Sequence, residues 1–225
     1  SINWRVHFRG TAAHNTVCID GVPQTRYEPK PIKDAASRHA PGSLRHKISG
    51  PAAEARLVER FHSPRFDLLH GAVRSHAYDA LHDRCIVFVD RRWWIVSDWL
   101  RAESEHDYTL NFQLGAHAQD ASTLSSDGDA TRLHSPGLLV AQPARASMHT
   151  ALAPGWVAAR YGHKDAAPTL KSRVRSRDAH FDTLLVPWHE HEHAHEHLGA
   201  PVLHALTDIG VEAADGKRGH ALRID

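Results

Sequence analysis

The chain has 225 residues, of which 41% are hydrophobic and 24% are charged, and this apolar share excludes an intrinsically disordered chain. Lysine and arginine (27 residues) almost balance aspartate and glutamate (26 residues), which leaves a formal net charge of +1. No global field therefore attracts nucleic acid or an anionic membrane. The unusual count is 21 histidines, which supply either a reserve of pH-dependent charge or metal ligands.

The length suits a single all-β domain, which commonly reaches this size. Cys18 and Cys85 lie in apolar, strand-like runs, so we expect two buried thiols rather than a disulfide framework. No apolar run approaches the roughly 18 residues of a membrane span. Because the chain begins at Ser1 without a methionine and enters a strand-like segment almost at once, it is expected to be a fragment of a longer protein.

The first third of the chain predicts one clear strand. Residues 15–19 are strand-like and end in an Asp20-Gly21 turn. Residues 29–51 are rich in proline, serine, lysine and arginine, which predicts a long surface loop. Residues 52–61 suit a helix by propensity, but their apolar residues also alternate as in a strand, so both structures stay open.

The middle and the end of the chain predict many strands. Residues 84–89 and 93–100 are apolar on both faces, which indicates central strands, and Asp90-Arg91-Arg92 between them predicts a tight hairpin. In residues 108–114 apolar and polar side chains alternate, as in a half-buried strand. Shorter strands are expected at residues 137–141, 156–161, 181–186 and 202–206.

Turn signals are frequent and few segments have a helical pattern, and together these two observations predict an all-β fold. The expected architecture is an antiparallel β-sandwich with few or no helices, forming one domain over residues 1–225. The sequence contains no GxSxG elbow, no GxxxxGK[ST] loop and no GxGxxG segment after a strand. Serine hydrolysis, P-loop chemistry and dinucleotide binding are therefore unsupported.

A histidine-rich run occupies residues 189–197 and satisfies the H-E-x-x-H pattern twice. That pattern binds zinc by placing two histidines on one helix face. Here Pro187 precedes the run, Gly199 and Pro201 follow it, and no apolar face would dock such a helix. We predict a solvated loop for this run. A histidine-rich metal-handling protein is an alternative hypothesis for the chain.

The start of the chain carries a cationic, imidazole-rich rim. Arg5, His7 and Arg9 lie just before His14, which stands at the entrance of the first strand. Guanidinium groups match carboxylates and sulfates, so this rim suits an anionic sugar polymer. The alternative is that His14 only forms a hydrogen bond within a loop.

The stretch WRVHFRGTAAHNTVCIDGVPQ (residues 4–24) resembles the W-R-x-x-F-R-x-T-x-A-H-N-T segment of the heparinase II/III-like family of polysaccharide lyases. The resemblance continues through residues 71–84, which contain His76, Tyr78, His82 and Arg84, and through the hairpin at residues 87–98. Further similarity follows at His106, at Gly155-Trp156, at Tyr161-Gly162 and at residues 181–187.

The resemblance implies a two-part enzyme in which an (α/α) toroid precedes an antiparallel, supersandwich-like β-sandwich. Such lyases cleave uronate-containing polysaccharides by β-elimination. This chain resembles only the sandwich, and the catalytic residues are expected upstream of Ser1. The fragment alone is therefore expected to be inactive. The alternative is a carbohydrate-binding β-sandwich module without catalysis in any context.

The family pattern also implies roles for individual residues. His14 matches a ligand of a mainly structural zinc site, whose other ligands are expected upstream of Ser1, and Asn15 is expected to orient its neighbours. The resemblance further implies an exported protein, in the periplasm, secreted or at the cell surface. Four residues are candidates for contact with the acidic polysaccharide or for packing: Arg9, His76, Tyr78 and Arg84.

Overall fold

The computed structural model describes residues 3–31 and 44–188, which contain fourteen β-strands and little helix. The only α-helix of this part of the chain is α1 (Trp4–His7), which is four residues long. The all-β prediction is confirmed. The strands are β1 (Val17–Ile19), β2 (Tyr27–Pro31), β3 (Leu44–Ile48), β4 (Glu54–His62), β5 (Phe66–Arg74), β6 (Leu81–Val89), β7 (Trp93–Arg101), β8 (His106–Gln113), β9 (Thr123–Ser126), β10 (Ala130–Ser135), β11 (Leu138–Pro143), β12 (His149–Val157), β13 (Asp165–Ser176) and β14 (Ala179–Pro187).

The strands form a small sheet, a large sheet and a separate hairpin. The small sheet has the order β1-β8-β13-β12, and the large sheet has the order β4-β5-β6-β7-β14-β11-β10-β9. Strands β2 and β3 pair only with each other. The pairings within each sheet are antiparallel, which confirms the antiparallel sandwich.

The main core lies between the two sheets. The alternation predicted for residues 108–114 places Tyr108, Leu110 and Phe112 on the buried face of β8. They join a cluster to which the large sheet contributes Leu100 and Phe181. Burying each such side chain stabilises the fold by about 1.5–3 kcal/mol, so this interface holds the two layers together.

A second apolar cluster lies on the opposite face of the large sheet. Val87, Ile95 and Leu184 stand beside one another on β6, β7 and β14 and are buried in this cluster. Leu100 belongs to the main core, and its odd sequence separation from Ile95 places it on the other face of β7. Residues 93–100 are therefore covered on both faces, as predicted, whereas residues 84–89 are buried on the face of Val87 and only half-buried on the face of Ile86.

Two tight turns follow the sequence signals closely. Asp90 and Arg91 have φ angles of 47° and 55°, the left-handed backbone that a type I′ hairpin turn requires. Asp20 and Gly21 have φ angles of 52° and 68° and end β1 in the predicted turn. The first turn therefore fixes the register of β6 against β7, and the second brings Ile19 and Val22 together in an isolated bridge.

A chain of buried polar side chains crosses the core and connects the layers. Thr150 donates to Ser172 Oγ at 3.1 Å, and Ser172 donates to Gln142 Oε1 at 2.5 Å. Gln142 Nε2 then donates to Thr183 Oγ1 at 3.0 Å. Because Thr150 and Ser172 belong to the small sheet and the other two to the large one, this chain fixes how the layers stack.

Several predicted boundaries were wrong. The long loop expected at residues 29–51 instead contains β3 and the end of β2, and the ambiguous residues 52–61 belong mainly to the exposed strand β4. The strand expected at residues 156–161 ends at Val157, and a loop follows it. The histidine-rich run and the strand expected at residues 202–206 lie outside the described residues.

Cys18 and Cys85 are buried and unbridged, as predicted. Burial raises the pKa of the Cys85 thiol to about 11, so this side chain packs as a neutral group. Within residues 3–31 and 44–188, no helix combines the length and the hydropathy that a bilayer crossing requires.

Candidate functional site

The segment around His14 lies at one end of the small sheet. After α1 the chain makes a 3₁₀ turn at Thr11–Ala13, and His14 ends that turn with an extended backbone. The His14 N–H donates to the Thr11 carbonyl at 3.1 Å, and the Thr16 N–H donates to the His14 carbonyl at 2.9 Å. These bonds hold the backbone while the His14 side chain stays exposed to solvent.

Asn15 attaches this turn to the small sheet. Its Oδ1 accepts a hydrogen bond from the Gln113 backbone N–H at 2.7 Å, at the end of β8. The Gln113 side chain returns a bond to the Ala12 carbonyl at 2.9 Å. These bonds attach the turn that carries His14 to the end of β8. The orienting role expected of Asn15 stays a prediction.

Arg84 attaches the same turn to the large sheet. Its Nη1 donates to the Asn15 carbonyl at 2.5 Å. Its Nε and Nη2 donate to the two carboxylate oxygens of Asp98 at 2.7 and 3.0 Å. His82 Nε2 lies 2.5 Å from Asp98 Oδ1, so three side chains, the Asp98 cluster (His82, Arg84 and Asp98), stand together behind Asn15.

The charge of Asp98 is balanced inside this cluster. Its side chain is 0% exposed. Burial alone would raise the pKa of Asp98, but the hydrogen bond from His82 and the charge of Arg84 lower the pKa overall. The Asp98 carboxylate therefore stays ionised, and its negative charge offsets most of the positive charge of Arg84. Arg84 thus acts as a positioning residue, and its predicted contact with substrate stays a prediction.

A cleft opens beside Asn15 on the face of β4, β5 and β6 that points toward the small sheet. Its volume is about 500 Å³. Its lining combines cationic and polar side chains with aliphatic ones. Such a mixed lining suits a sugar ring, which presents hydroxyl groups at its edge and an apolar face. The lining includes Thr16, Gln24, Arg56, Leu57, Leu69, His82, Arg84 and Ile86.

The other predicted substrate residues make contacts of their own. Arg9 is half-buried, with its guanidinium carbon 3.9 Å from the centre of the Tyr27 ring. His76 is exposed and lies 3.6 Å from Glu54 Oε1. Tyr78 packs against the main core, and burial raises its pKa. The structure therefore places Asn15 and Arg84 in direct contact. Arg9, His76 and Tyr78 each contact different partners, and their role in substrate binding stays a prediction.

His82 and Asp98 were missed as site residues although both lie within the segments that carry the family resemblance. Their position could be found only from the strand register, because Arg84 and Asp98 are direct partners across β6 and β7. Thr11 is a further missed anchor, since its hydroxyl accepts the Gln24 N–H at 2.7 Å and holds a residue of the cleft.

A second cluster of titratable residues, the His106 cluster (Asp20, Asp79 and His106), joins the end of β1 to two loops. His106 Nδ1 lies 2.6 Å from Asp20 Oδ2, and its Nε2 contacts Asp79 Oδ1. Asp20 also accepts the Asp107 N–H at 2.8 Å. Asp79 accepts the Ser104 N–H at 3.1 Å. One buried imidazole thus bridges two carboxylates.

The two carboxylates favour the charged imidazole. Burial alone would lower the pKa of His106, but the hydrogen bonds and charges of Asp20 and Asp79 raise it overall. The hydrogen bond from His106 in turn lowers the pKa of Asp79 to about 2. The cluster therefore ties the end of β1 to both loops most firmly when the imidazole carries its proton.

The prediction places a single zinc ligand, His14, within this chain. No group of three or more histidine, cysteine, aspartate or glutamate residues within residues 3–31 and 44–188 is placed to hold a metal ion. A structural zinc site needs about four ligands. His14 supplies one imidazole, so these residues do not fit a complete zinc site.

Comparison with known proteins agrees with the fold. The family model described as "Heparinase II/III-like, C-terminal" matches residues 2–194. No curated protein sequence matches the chain.

Among solved structures, heparan sulfate lyase HepC from Pedobacter heparinus is similar with a TM-score of 0.62 at 14% identity, over 84% of this chain and 26% of that one. Heparinase III from the BT4657 gene has a TM-score of 0.59 at 15% identity, over 83% of this chain and 25% of its own. A further heparinase III structure has a TM-score of 0.57 at 14% identity, over 82% and 25%. At these identities the likeness establishes the fold, and the chain spans about a quarter of each enzyme.

Proposed function

Because the chain belongs to the heparinase II/III-like C-terminal family, we propose that it is the β-sandwich portion of a polysaccharide lyase. The substrate is an acidic, uronate-containing polysaccharide, and the reaction is β-elimination. The observation that carries the proposal is the turn with the exposed His14, whose neighbour Asn15 is bonded to both sheets. Arg84, which binds Asn15, and Thr16 line a cleft of about 500 Å³.

The proposed reaction sets clear demands on the site. A base removes the C5 proton of the uronate, the C4–O bond breaks, and the electron pair forms a C4–C5 double bond. The leaving oxygen takes up a proton from an acid. The carboxylate must be neutralised, because negative charge develops next to it in the transition state.

The residues of this chain meet only part of these demands. Arg84 lies at the cleft, but Asp98 offsets most of its charge, and Thr16 and Gln24 offer hydrogen-bonding groups. We propose that the base, the acid and the carboxylate neutraliser lie outside this chain. The chain alone is then inactive. We likewise propose His14 as a single zinc ligand whose partners lie outside this chain, and we assign zinc no step in the reaction.

The test compares this chain with the longer protein that contains it. Both are incubated with alginate and with heparan sulfate, and the ultraviolet absorbance of the unsaturated product is followed. We expect turnover by the longer protein and none by the chain. Turnover by the chain alone would disprove its inactivity. An inactive longer protein that still binds these polymers would support a binding module instead.

We also propose that the longer protein acts outside the cytoplasm, because intact acidic polysaccharides are too large to cross the cell membrane. Fractionation of the source cells followed by immunodetection tests this proposal. Recovery of the protein in the cytoplasmic fraction alone would contradict it.

A further inference from the structure

A lysine lies between two tryptophans at the surface of the small sheet. Lys164 Nζ is 4.5 Å from the centre of the Trp4 ring and 4.3 Å from the centre of the Trp156 ring. The two indoles contact each other edge to face at 5.1 Å. Such cation–π contacts hold an ammonium group in place while its outward N–H groups stay available to an anion.

The loop that carries Lys164 also displays an aromatic ring. The His163 N–H donates to the Arg160 carbonyl at 3.2 Å and closes a β-turn. Gly162 has a φ of 79°, a backbone angle that glycine adopts without steric cost. Tyr161 stands at the tip of this turn and is 99% exposed. A fully exposed ring of this kind offers an open face to a flat ligand.

Positive charge dominates the two segments that build this surface. Arg5 lies in α1, and Arg160 and Lys164 lie in the loop after β12, while residues 3–9 contain no acidic side chain. Asp165 is the single acidic residue between positions 158 and 165. The surface therefore attracts an anionic group.

This surface lies at the same end of the small sheet as the His14 turn. Trp156 pairs with Ala166 on β13, and Thr169 of the same strand pairs with Gln113. Gln113 is the residue that binds Asn15. Three residues along a strand span roughly 10 Å, and the two strand spacings from β12 across β13 to β8 add roughly 10 Å sideways, so a short oligosaccharide reaches from one place to the other.

We propose that Lys164 and Tyr161 form a subsite for an acidic sugar residue of the polysaccharide. Lys164 binds the carboxylate or sulfate, and the Tyr161 ring stacks against the apolar face of the sugar. This inference rests on the proposed function for its choice of polymer. A site that recognises charge alone would instead bind any polyanion, including nucleic acid.

The experiment measures binding by the 225-residue chain in affinity electrophoresis with alginate, heparan sulfate, dextran or double-stranded DNA in the gel. The variants are Lys164→Gln and Tyr161→Ala, both at exposed positions. The matched control is Arg177→Gln, which removes one exposed cation beyond the other end of β13, roughly 40 Å away over its twelve residues.

We expect Lys164→Gln to weaken binding to both acidic polysaccharides by about three- to tenfold. Tyr161→Ala weakens the same two interactions and leaves the interaction with DNA unchanged. Dextran binds neither the wild type nor the variants, and Arg177→Gln behaves as the wild type. Added salt weakens the wild-type interaction, because the contact is electrostatic.

Three results would overturn the subsite. The first is binding by either variant that equals the wild type. The second is an equal loss in Arg177→Gln. The third is a loss of DNA binding in Tyr161→Ala as large as the loss of polysaccharide binding. If the longer protein catalyses elimination while these variants bind normally, only the subsite fails. If the longer protein is inactive, the proposed function fails whatever the variants show.

Discussion

The Asp98 cluster and the His106 cluster combine basic and acidic side chains in opposite proportions. In the Asp98 cluster one buried carboxylate is shared by an imidazole and a guanidinium. In the His106 cluster one buried imidazole is shared by two carboxylates. In each cluster we expect the shared group to set how stability depends on pH, because a change in its charge weakens its contacts with both partners at once.

The two clusters also hold different parts of the sandwich. The Asp98 cluster stands behind the turn that carries His14 and joins it to the large sheet. The His106 cluster closes the far end of β1 against the loops before β6 and β8. The short strand β1 is thus fixed at both ends by ionised groups.

The largest effect is expected from Asp98→Asn, which leaves the Arg84 guanidinium and the His82 imidazole beside a neutral amide in a buried place. We expect the free energy of unfolding to fall by about 3–5 kcal/mol, measured by urea denaturation. Folding lowers the pKa of Asp98, so the stability that its carboxylate contributes is present above the ordinary pKa. This contribution disappears as the pH falls through the pKa of the folded state.

The matched control for this variant is Asp67→Asn. Asp67 pairs with His62 and Arg91, and all three side chains are substantially exposed. The expected loss is below about 1 kcal/mol. A loss in the control as large as that in Asp98→Asn would show that burial does not distinguish the two sites.

Arg84→Ala is expected to loosen the His14 turn, because the Asn15 carbonyl loses its donor and Asp98 loses two bonds. The expected loss of unfolding free energy is about 2 kcal/mol. Hydrogen exchange of the Thr16 amide should accelerate more than that of amides in β11. Arg84→Lys, which keeps the charge without the planar fork, should recover part of the loss. Unchanged exchange at Thr16 would contradict the positioning role.

The His106 cluster should make stability depend on pH in the opposite direction. The pKa of His106 is raised on folding. Its contribution is therefore fully present below the ordinary histidine pKa of about 6.5 and is lost as the pH rises through the folded value. We expect the melting temperature to fall by a few degrees from about pH 5.5 to about pH 8.5, and less in His106→Gln. An equal fall in both proteins would assign the effect to other histidines.

The smallest effect is expected from His14→Ala, because the exposed imidazole contributes little to packing. The free energy of unfolding should change by less than about 0.5 kcal/mol in urea denaturation. In the longer protein, by contrast, the proposed zinc role requires a loss of bound zinc, measured by atomic absorption. A strongly destabilised chain would mean that His14 holds the turn itself.

The sequence predicts best where periodicity and turn chemistry agree. The alternation in β8 and the Asp90-Arg91-Arg92 hairpin loop leave few structures open, and both were confirmed. Strand β13 was missed because it contains Pro168 and several polar residues. Its buried Ser172 finds its partner on another strand, at Gln142, and no local pattern reveals that partner.

The candidate site was predictable only in part, for a related reason. The A-H-N-T motif is contiguous, so His14 and Asn15 could be identified directly from the sequence. The Asp98 cluster depends on the register of β6 against β7, which pairs Arg84 with Asp98. A shift of one residue would point Asp98 to the opposite face, and a single sequence does not exclude that shift.

The hydrogen-bonded chain from Thr150 to Thr183 also bears on the His14 turn, because that turn is bonded to both layers. Asn15 is anchored on the small sheet through Gln113 and on the large sheet through Arg84. If one layer slipped against the other by one residue, roughly 3.3 Å, the Asn15 turn could not keep both anchors. Resistance of the sandwich to shear is therefore a condition for a correctly placed His14, and the polar chain between the layers contributes to that resistance.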